Sequence, residues 1–384
     1  MKKLKISSYL MRTKWFVFFA IAVTLIVFGR LVETPSLSKS AVVLGIGIDY
    51  DESEETFEVS TQAVLVGSSS GDTSQTSFVC TSAKGGTIAG ALDVIARKMG
   101  LIISLSHCNV VFVSTAALKL DHMQLVYPLT GMYALSEQTI FVTGNKSPSE
   151  MLSLRIGTTI SSPFFLQQAL VNEEGSDGMI RTTAKDFLAR SLSRSKSNVI
   201  PYIVAQKTDS PLTETGGGDD DTFEFDISRA LVFNDKKNYI LENEYAEILA
   251  LYHSHDVTGT LNYTAIDGGT IEFKILKKDV KTKADKRNVT AKILLSADFA
   301  DVQKIPTDKV LSTADDIVVR YADALAKDIE KRLSEMYELS KEIGIDFLSL
   351  QSKVYQSVGR TLEEDCLDTL TFTPKVAISV RESG

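Results

Sequence analysis

The chain has 384 residues, 44% of them hydrophobic and 23% charged, which excludes a disordered tail, a collagen-like fibre and a disulfide-stapled miniprotein. Acidic residues outnumber basic ones, 49 to 41, for a formal charge of -8, the opposite of the balance a nucleic-acid binder of this size carries. Three cysteines (Cys80, Cys108, Cys366) are too few and too scattered for a metal ribbon or a disulfide framework, and four histidines leave little material for metal chemistry.

The N-terminus addresses the chain to a membrane. Lys2, Lys3, Lys5, Arg12 and Lys14 precede residue 15 with no acidic residue among them, and Trp15 to Gly29 then carries no charge. As a helix that run is about 22 Å long, short of a hydrocarbon core of roughly 30 Å. Arg30 can snorkel to the headgroups, and Leu31 and Val32 extend the span to about 27 Å. Trp15, Phe16, Phe18, Phe19, Ile21, Leu25, Ile26 and Phe28 are the anchoring side chains. Positive charge ahead of the segment keeps that end in the cytoplasm, so a single-pass anchor with residues 33–384 outside the cytoplasmic membrane is expected. A cleaved signal peptide competes, because Ser38-Lys39-Ser40 before Ala41 offers small residues, although far beyond the apolar run. A buried soluble helix fits the flanking charges poorly. A lipoprotein would need a cysteine just after the run, where the sequence reads Phe28-Gly29-Arg30-Leu31.

After a short polar stalk, Ala41 to Asp49 reads as a mostly buried strand and Phe57 to Leu65 as its half-buried hairpin partner. Ser77 to Ser82 is a third strand. Thr87 to Met99 places Ile88, Ala91, Leu92, Ile95 and Met99 at helical spacing, with Gly100 as the stop. Cys108 to Ser114 is a strand, giving a β-β-β-α-β opening of α+β or mixed-sheet type. A short helix near Thr115 to Val126 and a strand at Gln138 to Thr143 follow. Helices are expected over Ser147–Leu154, Pro163–Val171 and Thr183–Leu192, the last with a capping-box-like Thr183/Asp186 start, and Val199–Ala205 is a strand.

Lys207 to Thr222 is the strongest break in composition, rich in Gly and Asp, and is expected as a linker. The expected division is a cytoplasmic basic segment (1–14), a transmembrane anchor (15–32), one or more N-terminal α/β domains (33–206), the linker (207–222) and a C-terminal α/β domain (223–384). In the last, Phe223–Phe233 is a long strand, Tyr239–Leu241 another and Glu244–Tyr252 a short apolar helix. Gly269–Leu276 and Val289–Phe299 form a hairpin with a charged middle. A long helix after Ser312 carries Ile317, Tyr321, Leu325, Ile329, Leu333 and Met336 on one face and ends at Gly344. A helix near Ser349–Arg360 and a strand at Lys375–Val380 close the chain.

Reactive constellations are scarce. Gly45-Ile46-Gly47-Ile48-Asp49 lacks the third glycine and the following helix of a dinucleotide fingerprint. His253 and His255 would share a face on a strand but have no evident third ligand, and a polar loop is the simpler reading. His107 and Cys108, as strand neighbours, point to opposite faces and cannot act as a nucleophile pair. Asp219-Asp220-Asp221 lacks the spacing of a calcium loop. Lys274 to Lys292 holds eight basic residues against two acidic ones, either a solvated hairpin tip or a ribbon for anionic headgroups or an acidic partner. No cofactor, metal or catalytic set is expected.

The order of segments resembles the Ger(x)C family, the C subunits of spore germinant receptors of endospore-forming bacteria. The resemblance is carried by Gly47-Ile48-Asp49 before the Phe57-Glu58-Val59 strand, Ala91-Leu92, and Ser106-His107-Cys108-Asn109-Val110. Ala230-Leu231-Val232-Phe233 with its lysine turn, Asn243-Glu244, Ile345-Asp346-Phe347 and the terminal Val376 to Gly384 continue it. It spans nearly all of 41–384, through the ordered set rather than any single motif. It implies α/β-type domains, three in the family, and a non-enzymatic role in nutrient-triggered germination. The implied partners are a larger membrane subunit, a permease-like subunit and the membrane, with no nucleic acid. Gly47, Asp49, His107, Asn109, Phe233 and Glu244 become motif positions of structural character. The family's lipidated cysteine is missing, as are its C-terminal tryptophans between Ser352 and Thr369, so attachment would rest on Trp15–Val32. The alternative is a stand-alone extracytoplasmic solute-binding or envelope-assembly protein. The fold class expected is α+β, multi-domain, with mixed or antiparallel sheets flanked by helices after one N-terminal transmembrane helix.

Overall fold

The computed structural model describes residues 18–24, 40–64, 78–156, 160–171, 179–207, 223–253, 259–264, 270–303, 314–358 and 366–381. Residues 18–24 are helical (α1), with Phe18, Phe19 and Ile21 exposed and Thr24 Oγ1 donating to the Ala20 carbonyl at 2.8 Å. The rest of the expected anchor, including Trp15, Phe16, Leu25, Ile26 and Phe28, lies outside the described residues. Among the described residues no helix is long and apolar enough to cross a membrane.

From Ala41 onward the chain builds two sheets. β1 (Ser40–Asp51) pairs antiparallel with β2 (Thr56–Val64), and β2 with β3 (Phe78–Gly85). On its other side β1 runs parallel to β5 (Val110–Val113), followed by β6 (Ile140–Gly144) and β9 (Asn198–Lys207), all parallel. β9 pairs antiparallel with β10 (Phe223–Phe233), and β10 with β11 (Asn238–Leu241). With β4 (Ile102–Ser104) beside β1, and β7 (Arg155–Ile156) and β8 (Ile160–Ser161) beyond β10, the described residues form an eleven-stranded mixed sheet.

The middle of this sheet is buried on both faces. α2 (Ile88–Met99), α3 (His122–Met132) and α6 (Ala184–Ser191) cover one, through Leu92, Leu125 and Phe187. α4 (Pro148–Ser153) and α5 (Ser162–Val171) cover the other, through Leu152 and Leu166. β5, Val110-Val111-Phe112-Val113, is therefore apolar at every position: Val111 and Val113 enter the first core, Val110 and Phe112 the second. Local sequence fixes the helix ends. Thr87 caps α2 by accepting from Gly90 N, and Gly100 closes it in the left-handed region at φ 65°. Ser147/Glu150 and Thr183/Asp186 form complete capping boxes on α4 and α6.

The second sheet has the order β12 (Gly259–Thr264), β13 (Thr270–Asp285), β14 (Asn288–Gln303), β15 (Thr371–Val380), with β14 and β15 parallel. α7 (Asn243–His253), α8 (Ala314–Ile343) and α9 (Leu350–Val358) contribute to the core on its inner face. β15 is an edge strand whose edge is blunted. Thr371 and Arg381 donate their backbone N–H groups toward β14, so the alternate residues turn theirs outward. Among these, Pro374 has no N–H, and Val376 gives its own to Glu330 Oε1 of α8 at 2.8 Å.

Two expectations need correction. The helix near Thr115–Val126 is instead a 3-10 turn at Ala117–Lys119 followed by α3, which contains Pro128. Burial of Leu125, Val126 and Leu129 outweighs the lost backbone bond. The charged middle of the β13–β14 hairpin is strand, with only Lys286 and Arg287 between the paired Asp285 and Asn288. Its lysines alternate with Val280 and Ala284, which pack against the core, so charge marks the outer face and not a loop.

β9 and β10, on either side of residues 208–222, are hydrogen-bonded neighbours. β10 also belongs to both main cores, with Leu231 and Phe233 in one and Ala230 and Val232 in the other.

Candidate functional site

The most elaborate polar arrangement lies where the loop after α6 meets the chain after α8. α8 ends at Gly344, whose φ of 69° suits glycine, with Gly344 N donating to the Ser340 carbonyl at 3.0 Å. The reversal places Ile345, Phe347 and Leu348 in the core on the inner face of the second sheet. Asp346 between them, 2% exposed, turns to the seam. Its Oδ1 accepts from Leu350 N at 2.9 Å and its Oδ2 from Gln351 N at 2.8 Å, which caps α9. Oδ2 also accepts from Ser195 Oγ at 2.6 Å.

Because the Ser195 hydroxyl proton goes to Asp346, Ser352 Oγ is the donor in its 2.8 Å contact with Ser195 Oγ. Ser195 N donates to Ser352 Oγ at 3.0 Å, and Ser352 N donates to Ser195 Oγ at 3.2 Å. Two residues far apart in sequence thus exchange three bonds while buried. Gln351 extends the network by accepting from Cys366 N at 3.2 Å.

His253 lies on the same seam. Its Nε2 donates to the Phe347 carbonyl at 2.6 Å, and its ring meets Tyr252 at 5.1 Å. Burial, then the positive charge of Arg190, pushes its pKa down to about 3, with Lys278 and Lys353 acting the same way against the bond to Phe347. Arg190 itself is pulled below its ordinary value by burial; its Nη1 donates to the Val199 carbonyl at 3.4 Å. Lys278 Nζ donates to the Leu251 carbonyl at 2.7 Å. A groove of about 430 Å3 opens beside the seam, lined by Arg194, Lys196, Asn234, Lys236 and Asp368 among others.

Chemically this is a lock. The Ser195 hydroxyl is committed to a carboxylate, and His253 faces a backbone carbonyl, so the serine, the histidine and the aspartate do not form a relay. Among the described residues no group of His, Cys, Asp and Glu is placed to hold a metal ion.

The motif positions expected from the sequence are dispersed. A Cβ on Gly47 would meet Ser60 Oγ at 2.5 Å and the Pro148 Cβ at 2.9 Å, and one on Gly45 would run into Pro163 and Leu152. Both glycines let α4 and α5 close on β1. Asp49 lies two residues before the end of β1, and its Oδ1 accepts from Tyr50 N at 2.8 Å. His107 is exposed before β5, whereas Cys108 is buried, its thiol pushed up to about 12 by burial and donating to the Val110 carbonyl at 3.4 Å. Asn109 bridges strands through its backbone, donating to Leu44 O at 2.7 Å and accepting from Ile140 N at 3.0 Å. Phe233 packs among Phe187 and His122. Glu244 is exposed, 3.7 Å from Arg332. The structure brings none of these six together. His255 and Asp219–Asp221 lie outside the described residues.

Sequence reading gave no site role to Asp346, Ser195 or Ser352. One signal was available: an acid flanked by Ile345 and Phe347, four residues before a helix start, is placed to cap.

The architecture defines a class: an α+β protein of mixed and antiparallel sheets flanked by helices, its halves fastened by a buried polar seam. The chain belongs to the Ger(x)C family, the C subunits of spore germinant receptors. A family model described as the spore germination protein N-terminal domain matches residues 35–205. A second, described as spore germination B3/GerAC like, C-terminal, matches residues 228–384. Among solved structures, the crystal structure of the GerBC protein shares the fold with a TM-score of 0.50 at 13% identity, covering 88% of this chain and 97% of that one. Comparison with curated protein sequences gives no match.

Proposed function

We propose that the chain is the membrane-tethered subunit of a nutrient germinant receptor and works by assembly, without catalysis. The observation that carries this reading is the ordered match to both spore-germination domain models over 35–205 and 228–384. The tether is Trp15 to Val32, with the body outside the cytoplasm; support comes from the basic residues before it and from exposed Phe18, Phe19 and Ile21 on α1. The partners are the larger membrane subunit and the permease-like subunit. Gly47, Asp49, His107, Asn109, Phe233 and Glu244 serve the fold or the assembly.

Deletion of the gene is expected to impair nutrient-triggered germination and leave vegetative growth unchanged. Wild-type germination of the deletion strain with every nutrient, in a background lacking paralogues, would remove the reading. Protease added to intact protoplasts is expected to remove residues beyond 40, and protection there would remove the topology. We also propose 207–222 as an exposed linker. Cleavage at a protease site inserted there should leave two fragments that co-elute, because β9 and β10 remain paired across it.

A further inference from the structure

The inner face of the second sheet is covered by helices; among the described residues no helix packs on its outer face. Cross-strand register places Lys281 opposite Lys292, and Lys292 opposite Lys375, so three lysines stand side by side across β13, β14 and β15. Lys277 and Lys283 share this face on β13, opposite Ser296 and Thr290. All five side chains are exposed. The acids on this face include Asp279, 2.6 Å from Lys281, Asp285 two residues beyond Lys283 next to the turn, and Asp298 two residues beyond Ser296. Like charges directly opposite on a sheet oppose folding, so the sheet carries this row at a cost. It does so on a chain with a formal charge of -8.

The chemistry of the patch selects its occupant. Protein interfaces are centred on Tyr, Trp and Arg and are depleted in Lys, and tight phosphate ligands are held by forked Arg contacts. Here the central cations are all lysines, and their neighbours Thr290, Leu294, Thr373 and Ala377 include no aromatic ring. Mobile point charges over a broad strand surface suit a diffuse layer of negative charge, to which each lysine near the surface contributes about 1 kcal/mol.

We propose that the outer face of β13–β15 rests against the anionic lipid headgroups of a bilayer. The proposal deepens the tethered-subunit reading: beyond the N-terminal tether, the body would contact the membrane through this face.

The test uses the full chain reconstituted into vesicles of phosphatidylcholine alone and of phosphatidylcholine with phosphatidylglycerol, with lysine acylation by a water-soluble reagent followed by mass spectrometry. Lys281, Lys292 and Lys375 should react about fivefold more slowly on the anionic vesicles, the factor that corresponds to about 1 kcal/mol per lysine. High salt should abolish the difference. Lys327, exposed on α8 on the other side of this sheet, should react equally on both. A Lys281→Ala, Lys292→Ala, Lys375→Ala variant, whose fold is checked by its melting temperature, should lose the protection of Lys277 and Lys283.

Equal rates on the two vesicles, protection that survives high salt, or equal protection of Lys327 would each overturn the proposal. So would protection that appears only when another receptor subunit is present, which would assign the face to an acidic protein surface. Alkaline carbonate extraction reports the tether separately. A chain released by carbonate yet protected on anionic vesicles at neutral pH would sink the tether and leave this face in place.

Discussion

The two sheets differ in what they leave to the surroundings. The eleven-stranded sheet is covered by helices on both faces of its middle strands, and β5 there is apolar at every position. The four-stranded sheet is closed on one face and presents lysines on the other. A doubly covered sheet has no broad strand surface left for a partner, whereas a singly covered one alternates and keeps a face for recognition. β10 and the Ser195–Asp346 seam tie the closed region to the open one.

The sharpest way to break this comparison is to empty the closed region. Phe233, 1% exposed among Phe187 and His122, should cost about 3–5 kcal/mol as Phe233→Ala, while Leu294→Ala on the open face should cost below about 0.5 kcal/mol. Denaturant unfolding compares the two. A similar loss at both would mean that the outer face is buried.

Next in size is the seam. Asp346→Ala strands three buried donors, Ser195 Oγ, Leu350 N and Gln351 N, and should cost about 3 kcal/mol in chemical unfolding. Hydrogen exchange should show the added opening concentrated in the start of α9 and the loop after α6. Gly47→Ala should cost about 1–3 kcal/mol, since the new methyl meets the Ser60 hydroxyl and Pro148. A neutral effect would mean that α4 can withdraw from β1.

His253 gives the seam a pH dependence. Unfolded, it takes up a proton near pH 6.5; folded, only near 3. Between those values the unfolded chain binds more protons, so stability falls as pH falls, by up to about 1.4 kcal/mol per pH unit from this group. His122, also pulled down by burial, acts in the same direction. His253→Gln should flatten the slope of stability against pH below 6.5, and an unchanged slope would assign it to other groups. The smallest effect is at the surface: Glu244→Ala, 77% exposed and 3.7 Å from Arg332, should change unfolding free energy by less than about 0.5 kcal/mol.

Much of the fold is legible in the chain. The apolar run of β1, the spacing of α2 with Gly100 as its stop and the Thr183/Asp186 cap of α6 all state their structure locally. α3 was harder to read because Pro128 signals a break that packing overrides. The candidate site was harder still. Asp346, Ser195 and Ser352 carry no shared local pattern, and the bonds between them span up to 157 positions.

By itself the sequence determined the charged-then-apolar N-terminal pattern, the α+β alternation, the helix caps and the family, because each depends on neighbours within a turn, a strand or an ordered set of short segments. Only the tertiary structure decided which face of each element is covered and which side chains meet. Strand order set Lys281, Lys292 and Lys375 in one row, and the reversal at Gly344 carried Asp346 to Ser195. The physical reason is that burial and register are pairwise properties of distant segments, set by the total apolar surface removed from water and not by any one stretch of chain.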